Sequence, residues 1–317
     1  MFRLIPVETK IDFLGKWRLC AAFSAALTII AFGSIIYHHG LKYGVDFKGG
    51  TLMQIKFDKP VDIAALRAAV DKLGLGDFSI QEYGKPEDIL MNLSRAEETA
   101  NVENTTAMKV EKAMREKYGS GFVVERVEVV GPKVGKDLRT KALLAIFYSL
   151  IGIMIYVTFR FEFKFGVAAI VATAHDTVVT VGAFSVMDKE FTLTALAAIL
   201  TVIGYSLNDT VVVFDRIREN MRLRRGMAFM DLLNLSVNQT LSRTTLTSGA
   251  TLLTVIALFF LGGEVIHDFS FAMLVGILIG TYSSIYVASP VVMLWSNLEK
   301  ARAQRAQAGG AGKKAKV

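Results

Sequence analysis

TLTALAAILTVIGYSLNDTVVVF, running from Thr192 to Phe214, is apolar along its length apart from a few small polar residues and a single charge, Asp209. It is long enough for the ~20 residues that carry a helix across the hydrocarbon core of a bilayer. A helix of this length on a water-soluble protein would carry charges along one whole face. The stretch therefore predicts a membrane span with a carboxyl inside it. Such a group needs a cavity or a partner, so other spans must surround this one.

Five further windows read the same way: Leu19–Tyr37, Ala142–Phe159, Phe165–Met187, Leu246–Leu261 and Phe269–Trp295. Together they account for a chain that is 52% hydrophobic, well outside the balance of soluble domains. The expected fold is an α-helical integral membrane protein of six transmembrane helices, arranged one and then five. The division is a cytoplasmic segment at 1–18, the first span at 19–37, an extracytoplasmic domain at 38–138, a five-helix bundle at 139–298 and a disordered basic tail at 299–317. Met1 to Arg18 is too long and mixed for the start of a cleaved signal, and no small-residue cleavage site follows the first apolar run, so the first span should be retained.

Orientation follows from Lys and Arg in short loops, which tend to stay cytoplasmic. Arg3, Lys10, Lys16 and Arg18 precede the first span, Arg160 and Lys164 join the second and third, and Arg216 to Arg225 follow the fourth. The alternate turns, Asp188–Phe191 and Gly262–Asp268, hold only Lys189. Both termini are expected inside and the polar domain outside. The net charge of +7 is then explained by topology and anionic lipid rather than by nucleic acid.

Within that domain, Thr51–Phe57 alternates as a strand and Val61–Leu73 has a helical apolar face. Phe78–Tyr83 and Ile89–Leu93 read as strands joined across Gly84-Lys85-Pro86, Asn104–Tyr118 as a helix, and Phe122–Val130 as a closing strand. The order β-α-β-β-α-β is the ferredoxin-like α+β plan, which serves too many functions to name one.

Chemistry is expected at the ionisable residues at membrane depth: Asp176 in the third span, Asp209 in the fourth and Arg243 near the inner end of the fifth. Thr201, Tyr205 and Asn208 form a polar stripe around Asp209. Gln239, Arg243, Thr247 and Thr251 recur every four residues on the next span. Facing one another, these stripes would make a hydrated seam, a pattern suited to moving protons. Burial favours a neutral carboxyl and a nearby guanidinium an ionised one, so motion of the pair could load and unload a proton. The residues alone leave a second reading open, a fixed Asp–Arg lock between two spans. For Asp176, beside His175, structural hydrogen bonding or contact with a partner competes with proton transfer.

The sequence offers no enzyme chemistry. Gly49 and Gly50, after Asp46, Phe47 and Lys48, lack the spacing of a phosphate loop and read as a turn into the first strand. The four histidines are too scattered for a metal site, and Cys20 is alone, so no metal, cofactor or internal disulfide is expected. An ion gradient is a more natural energy source than ATP for such a chain. Gly276, Gly280 and Ser284 form a small-residue face for close helix packing.

Several stretches resemble the SecF side of the SecD/SecF family, within the resistance-nodulation-division superfamily. They are Ile11–Lys16, Gly44–Thr51, His175-Asp176, Gly204–Thr210, Phe214–Asn220 and Asn238–Thr244. The resemblance implies a multi-pass protein of the bacterial inner membrane that pairs with SecD into a pseudo-symmetric twelve-span unit. It implies SecYEG as the neighbouring channel, cooperation with SecA, contacts with YajC and YidC, and an unfolded secreted polypeptide as cargo. It also implies that Asp209 and Arg243 belong to a proton path driven by the proton motive force; sodium could use the same carboxyl. Two rivals stand beside it, a passive scaffold of the secretion channel and one half of a proton-driven small-molecule exporter. The small outer domain argues against the exporter.

Overall fold

The computed structural model describes residues 9–76, 78–93 and 106–314. Among these residues, six helices are long and apolar enough to cross a membrane, and the chain is a multi-pass membrane protein. The first, α1 (Trp17–Tyr37), continues a 3-10 turn at Leu14–Lys16. A short helix, α2 (Val45–Lys48), leads into the sheet domain. There follow β1 (Gly50–Phe57), α3 (Ile63–Asp71), β2 (Phe78–Tyr83), β3 (Lys85–Leu93), α4 (Thr106–Tyr118) and β4 (Phe122–Val130). The remaining spans are α5 (Pro132–Arg160), α6 (Phe163–Val186), α7 (Leu193–Leu223) and α8 (Phe229–Leu261). The last begins as α9 (His267–Ser283), passes through a π-helical turn at Ser284–Ala288 and continues as α10 (Ser289–Lys314).

The windows read from hydropathy are the apolar middles of longer helices. Ala142–Phe159 lies inside α5, and Leu246–Leu261 is the second half of α8. A hydropathy window registers only what lipid would cover, whereas backbone hydrogen bonding carries a helix on into water. The sheet domain thus ends at Val130, short of the expected 138, because Pro132 opens α5 at a position where its missing N–H costs nothing. The segment expected to be an unstructured tail instead continues α10 as far as Lys314. Its first stretch, Glu299 to Ala308, is rich in Ala, Arg, Gln and Lys, which favour helix once a span has nucleated it.

The sheet has the order β2-β3-β1-β4, with every neighbouring pair antiparallel. Alternation along β1 buries Met53, Ile55 and Phe57 against Leu66 and Val70 of α3 and Val110 and Met114 of α4. Each such side chain contributes ~2 kcal/mol when fully buried. Helix α3 starts where Asp62 accepts from the Ala64 N–H, a side-chain cap on an otherwise unpaired donor. The expected second helix began at Asn104, and residues 104–105 lie outside those described.

In the bundle, α6, α7 and α9 bury about half of their apolar windows, whereas α1, α5 and α8 bury much less and present apolar side chains outward. Helices α7 and α9 approach closely at Gly276, where an added Cβ would lie 2.3 Å from Val202. Residues 11–14, ahead of α1, are docked on α8. Asn238 exchanges two hydrogen bonds with the Ile11 backbone, and Asn234 accepts from the Leu14 N–H while donating to Asp12.

Candidate functional site

Asp209 is 4% exposed on the buried face of α7. Its carboxylate accepts from the Ser248 hydroxyl of α8 at 2.9 Å, and Ser248 accepts from Thr281 of α9 at 3.0 Å. Three helices thus contribute to one hydroxyl chain ending on a carboxylate. Small hydroxyls suit this position, because each can donate, accept and reorient without a change of charge.

Of the stripes expected to face Asp209, the structure joins one pair, Tyr205 donating to Thr251 at 3.1 Å. Thr201 and Thr247 return their hydroxyls to their own helix backbones, Asn208 is exposed, and Gln239 accepts from Asn220 toward the end of α7. Arg243 is exposed on α8. Its guanidinium makes no ion pair within 4.0 Å of the Asp209 carboxylate, yet it lies close enough to act through its charge. The reason is rotational. One residue is a 100° turn of helix, and α8 buries Ser236, Thr240, Thr244 and Ser248 rather than the neighbouring Gln239, Arg243, Thr247 set. Both sets recur every four residues. The signal in favour of the first was its make-up of small hydroxyls, which a helix interface buries readily, whereas Gln and Arg resist burial.

Asp176, 1% exposed on α6, accepts from Ser206 of α7 at 2.6 Å and Ser283 of α9 at 2.7 Å, both through Oδ2. Its Oδ1 lies 3.1 Å from His175 Nδ1. The threonines of its own helix do not reach it: Thr180 and Thr177 bond the carbonyls of Asp176 and Thr173. Asp176 therefore knots three helices. Ser206 and Ser283 were not singled out by sequence reading, since a lone serine in an apolar run carries no signal of its own.

Both carboxylates border the π-turn. Ser284, its first residue, hydrogen-bonds Thr210 at 3.0 Å, one residue beyond Asp209. The wide turn has a cause in Pro290, which lacks the N–H that the regular ladder would need from it.

The segment Gly44–Thr51 ties the sheet domain to the bundle. Phe47 is buried and stacks on Phe191 at 5.8 Å. Asp46 accepts from the Leu193 N–H at 2.9 Å, placing a negative charge on an unpaired donor in the first turn of α7. Gly49 has φ +78°, and a Cβ there would lie 2.8 Å from Pro132 Cα. Gly50, with φ +144°, starts β1. A side-chain bond reaches from the sheet itself to the bundle's loops, Asn92 of β3 donating to Glu190 at 2.8 Å. Glu190 sits half-buried in the turn between α6 and α7, and burial raises its carboxyl above the ordinary range despite the Asn92 bond and the charge of Lys42.

Residues 109–298 match the family model described as protein export membrane protein SecD/SecF, C-terminal, and residues 34–61 match the SecD/SecF GG motif, which contains Gly49 and Gly50. The chain is 45% identical to the protein translocase subunit SecF of Calditerrivibrio nitroreducens, over 94% of this chain and 98% of that protein. It is 46% identical to the subunit of the same name from Magnetococcus marinus, over 90% and 92%. Its structure is similar to the crystal structure of SecDF, a translocon-associated membrane protein from Thermus thermophilus, with TM-score 0.82 and 38% identity over 93% of this chain and 40% of that one. A super-membrane-facing form of SecDF gives TM-score 0.70 at 37% identity, over 96% and 41%. The chain thus spans about two-fifths of those SecDF chains and nearly the whole of the SecF subunits. It belongs, on its SecF side, to the SecD/SecF family of protein-export membrane proteins.

Proposed function

We propose that this chain is the SecF-type half of a SecD–SecF unit in the bacterial inner membrane. In this reading the unit uses the proton motive force to assist late export of polypeptides through SecYEG, after SecA has begun insertion. The single observation that carries the reading is Asp209, a carboxyl buried at membrane depth and wired by Ser248 and Thr281 to two other helices. A charge is costly there unless it serves an ion path or a fixed contact, and a fixed contact is weakened as an explanation because Arg243 is exposed instead of locked onto it. Arg243 then faces the side where a second half can pack, with YajC and YidC as further neighbours. A voltage supplies roughly 2.3 kcal/mol per charge per 100 mV, enough to bias protonation of such a group.

Basic residues concentrate at the end of the bundle that holds the residue 160–163 and 223–229 connections. That distribution supports both termini inside and the sheet domain outside. The strand order β2-β3-β1-β4 with α3 and α4 on one face supports a ferredoxin-like plan for that domain. The chain carries no catalytic role in this reading, and Asp176 serves to hold the helices that move around Asp209.

The test is export of a reporter polypeptide through reconstituted membranes carrying the chain with its SecD half, comparing wild type with Asp209→Asn at matched assembly. Loss of the response to an imposed proton gradient supports the ion-coupled reading. An unchanged response makes Asp209 structural and favours the scaffold.

A further inference from the structure

Between the open face of the sheet and the loops at that end of the bundle lies a cavity of about 340 Å³, lined by Gln54, Asn92 and Arg126 from the sheet and Lys42, Asp188 and Glu190 from the bundle side. The domain is joined to the bundle covalently at Gly49–Gly50 and Gly131–Pro132, two crossings packed against each other at one edge, so that the domain can pivot about them. Away from that hinge, the Asn92–Glu190 hydrogen bond holds the sheet over the cavity. From this geometry we propose that Glu190 is a proton-operated latch: uncharged, it keeps the sheet domain down on the turn between α6 and α7, and ionised, it lets the domain lift. The inference deepens the proposed function, from which it takes the outer orientation of the domain, but it does not require Asp209 to carry protons.

The sign follows from solvation. Closing the cavity strips water from the Glu190 carboxyl, which costs far more for the ionised form than for the neutral one. The neutral acid can still accept from Asn92 through its carbonyl oxygen. The charges facing Glu190 do not cancel that cost. Lys42 bonds Asp188 at 3.0 Å, Lys189 sits 3.7 Å from Asp268, and Asp268 itself repels Glu190. Lys48 attracts it only as the weakest of these influences. Across the cavity, Arg126 is paired with Glu128 on β4, and Asp46 is engaged by the Leu193 N–H. His267, next to Asp268, lies 3.3 Å from Lys189. Lys42, Lys189 and Arg126 are thus shared with other carboxylates, Lys48 acts weakly, and burial prevails. On the outer face of an energised membrane, where protons accumulate, the latch closes; it opens as Glu190 loses its proton.

Spin labels at Lys85→Cys on the sheet and Val265→Cys on the bundle, in a Cys20→Ala background of the chain assembled with its SecD half in lipid, read this motion. Double electron–electron resonance should show a short, narrow distance in mild acid that shifts to a longer, broader one in mild alkali. Glu190→Gln should hold the short distance at both pH values, and Asn92→Ala should give the broad distribution at both. The same shift should persist in Asp209→Asn, which separates failure of the latch from failure of the proton path. A distance in the wild type that ignores pH overturns the latch, as does a pH response that survives Glu190→Gln.

Discussion

Ser248 of α8 gives its hydroxyl proton to Asp209 of α7 across 2.9 Å, and no other side-chain hydrogen bond reaches that carboxylate among the described residues. We predict that Ser248→Ala costs the bundle only ~1 kcal/mol, as side-chain hydrogen bonds between membrane helices typically do. It should nevertheless lower gradient-driven export, because Asp209 loses its connection to Thr281. Ser248→Thr keeps the donor and should retain most of the response. Equal export by the Ala variant and wild type would show that the relay is dispensable.

Asp176 joins Ser206 and Ser283, so its removal strands the buried Ser206 donor and leaves Ser283 only the Gly280 carbonyl of its own helix. Asp176→Leu should cost about 3 kcal/mol, while Asp176→Asn, which keeps a carbonyl acceptor, should cost roughly half as much. Detergent-titrated unfolding measures both. A Leu variant as stable as wild type would rule out the knot.

Gly49 combines a left-handed φ with a contact that a Cβ would violate against Pro132. Gly49→Ala is predicted to loosen the domain junction by ~2 kcal/mol or more. Limited proteolysis should then cut near 49–50 and 131–132 faster than in wild type. An unchanged digestion pattern counts against a tight crossing.

Asp46 caps α7 through the Leu193 N–H. An anion at a helix N-terminus is worth about 0.3–1 kcal/mol. Asp46→Ala should therefore speed hydrogen exchange of the Leu193 amide by roughly up to fivefold, with little change at the middle of α7.

Glu190 carries a pH dependence of stability with a definite sign. Its folded-state carboxyl is raised above the ordinary value of 4.5, mainly by burial. Its contribution is therefore fully present below that value and is lost as pH rises through the folded one. Melting of the docked domain should fall across this interval in wild type and lose that component in Glu190→Gln. A Gln variant with the wild-type profile assigns the dependence to another group.

The sequence by itself determined the spans, because a bilayer accepts only long apolar helices and every charge within one stands out. It determined the order of strands and helices in the domain, since period-2 and period-3.6 patterns hardly overlap there. It also marked Asp209 and Asp176 as buried carboxyls. Only the tertiary structure decided which neighbours those carboxyls meet. On α8 two polar stripes lie one residue apart, and helix rotation, set by packing of whole faces, chose Ser248 over Thr247 and left Arg243 exposed. Ser206 and Ser283 meet at Asp176 because Gly276 and Gly280 let α9 approach α7 closely. The Asn92–Glu190 contact links residues 98 apart in sequence. No local periodicity encodes such a pair; it exists because a hinge folds a sheet back over a membrane turn.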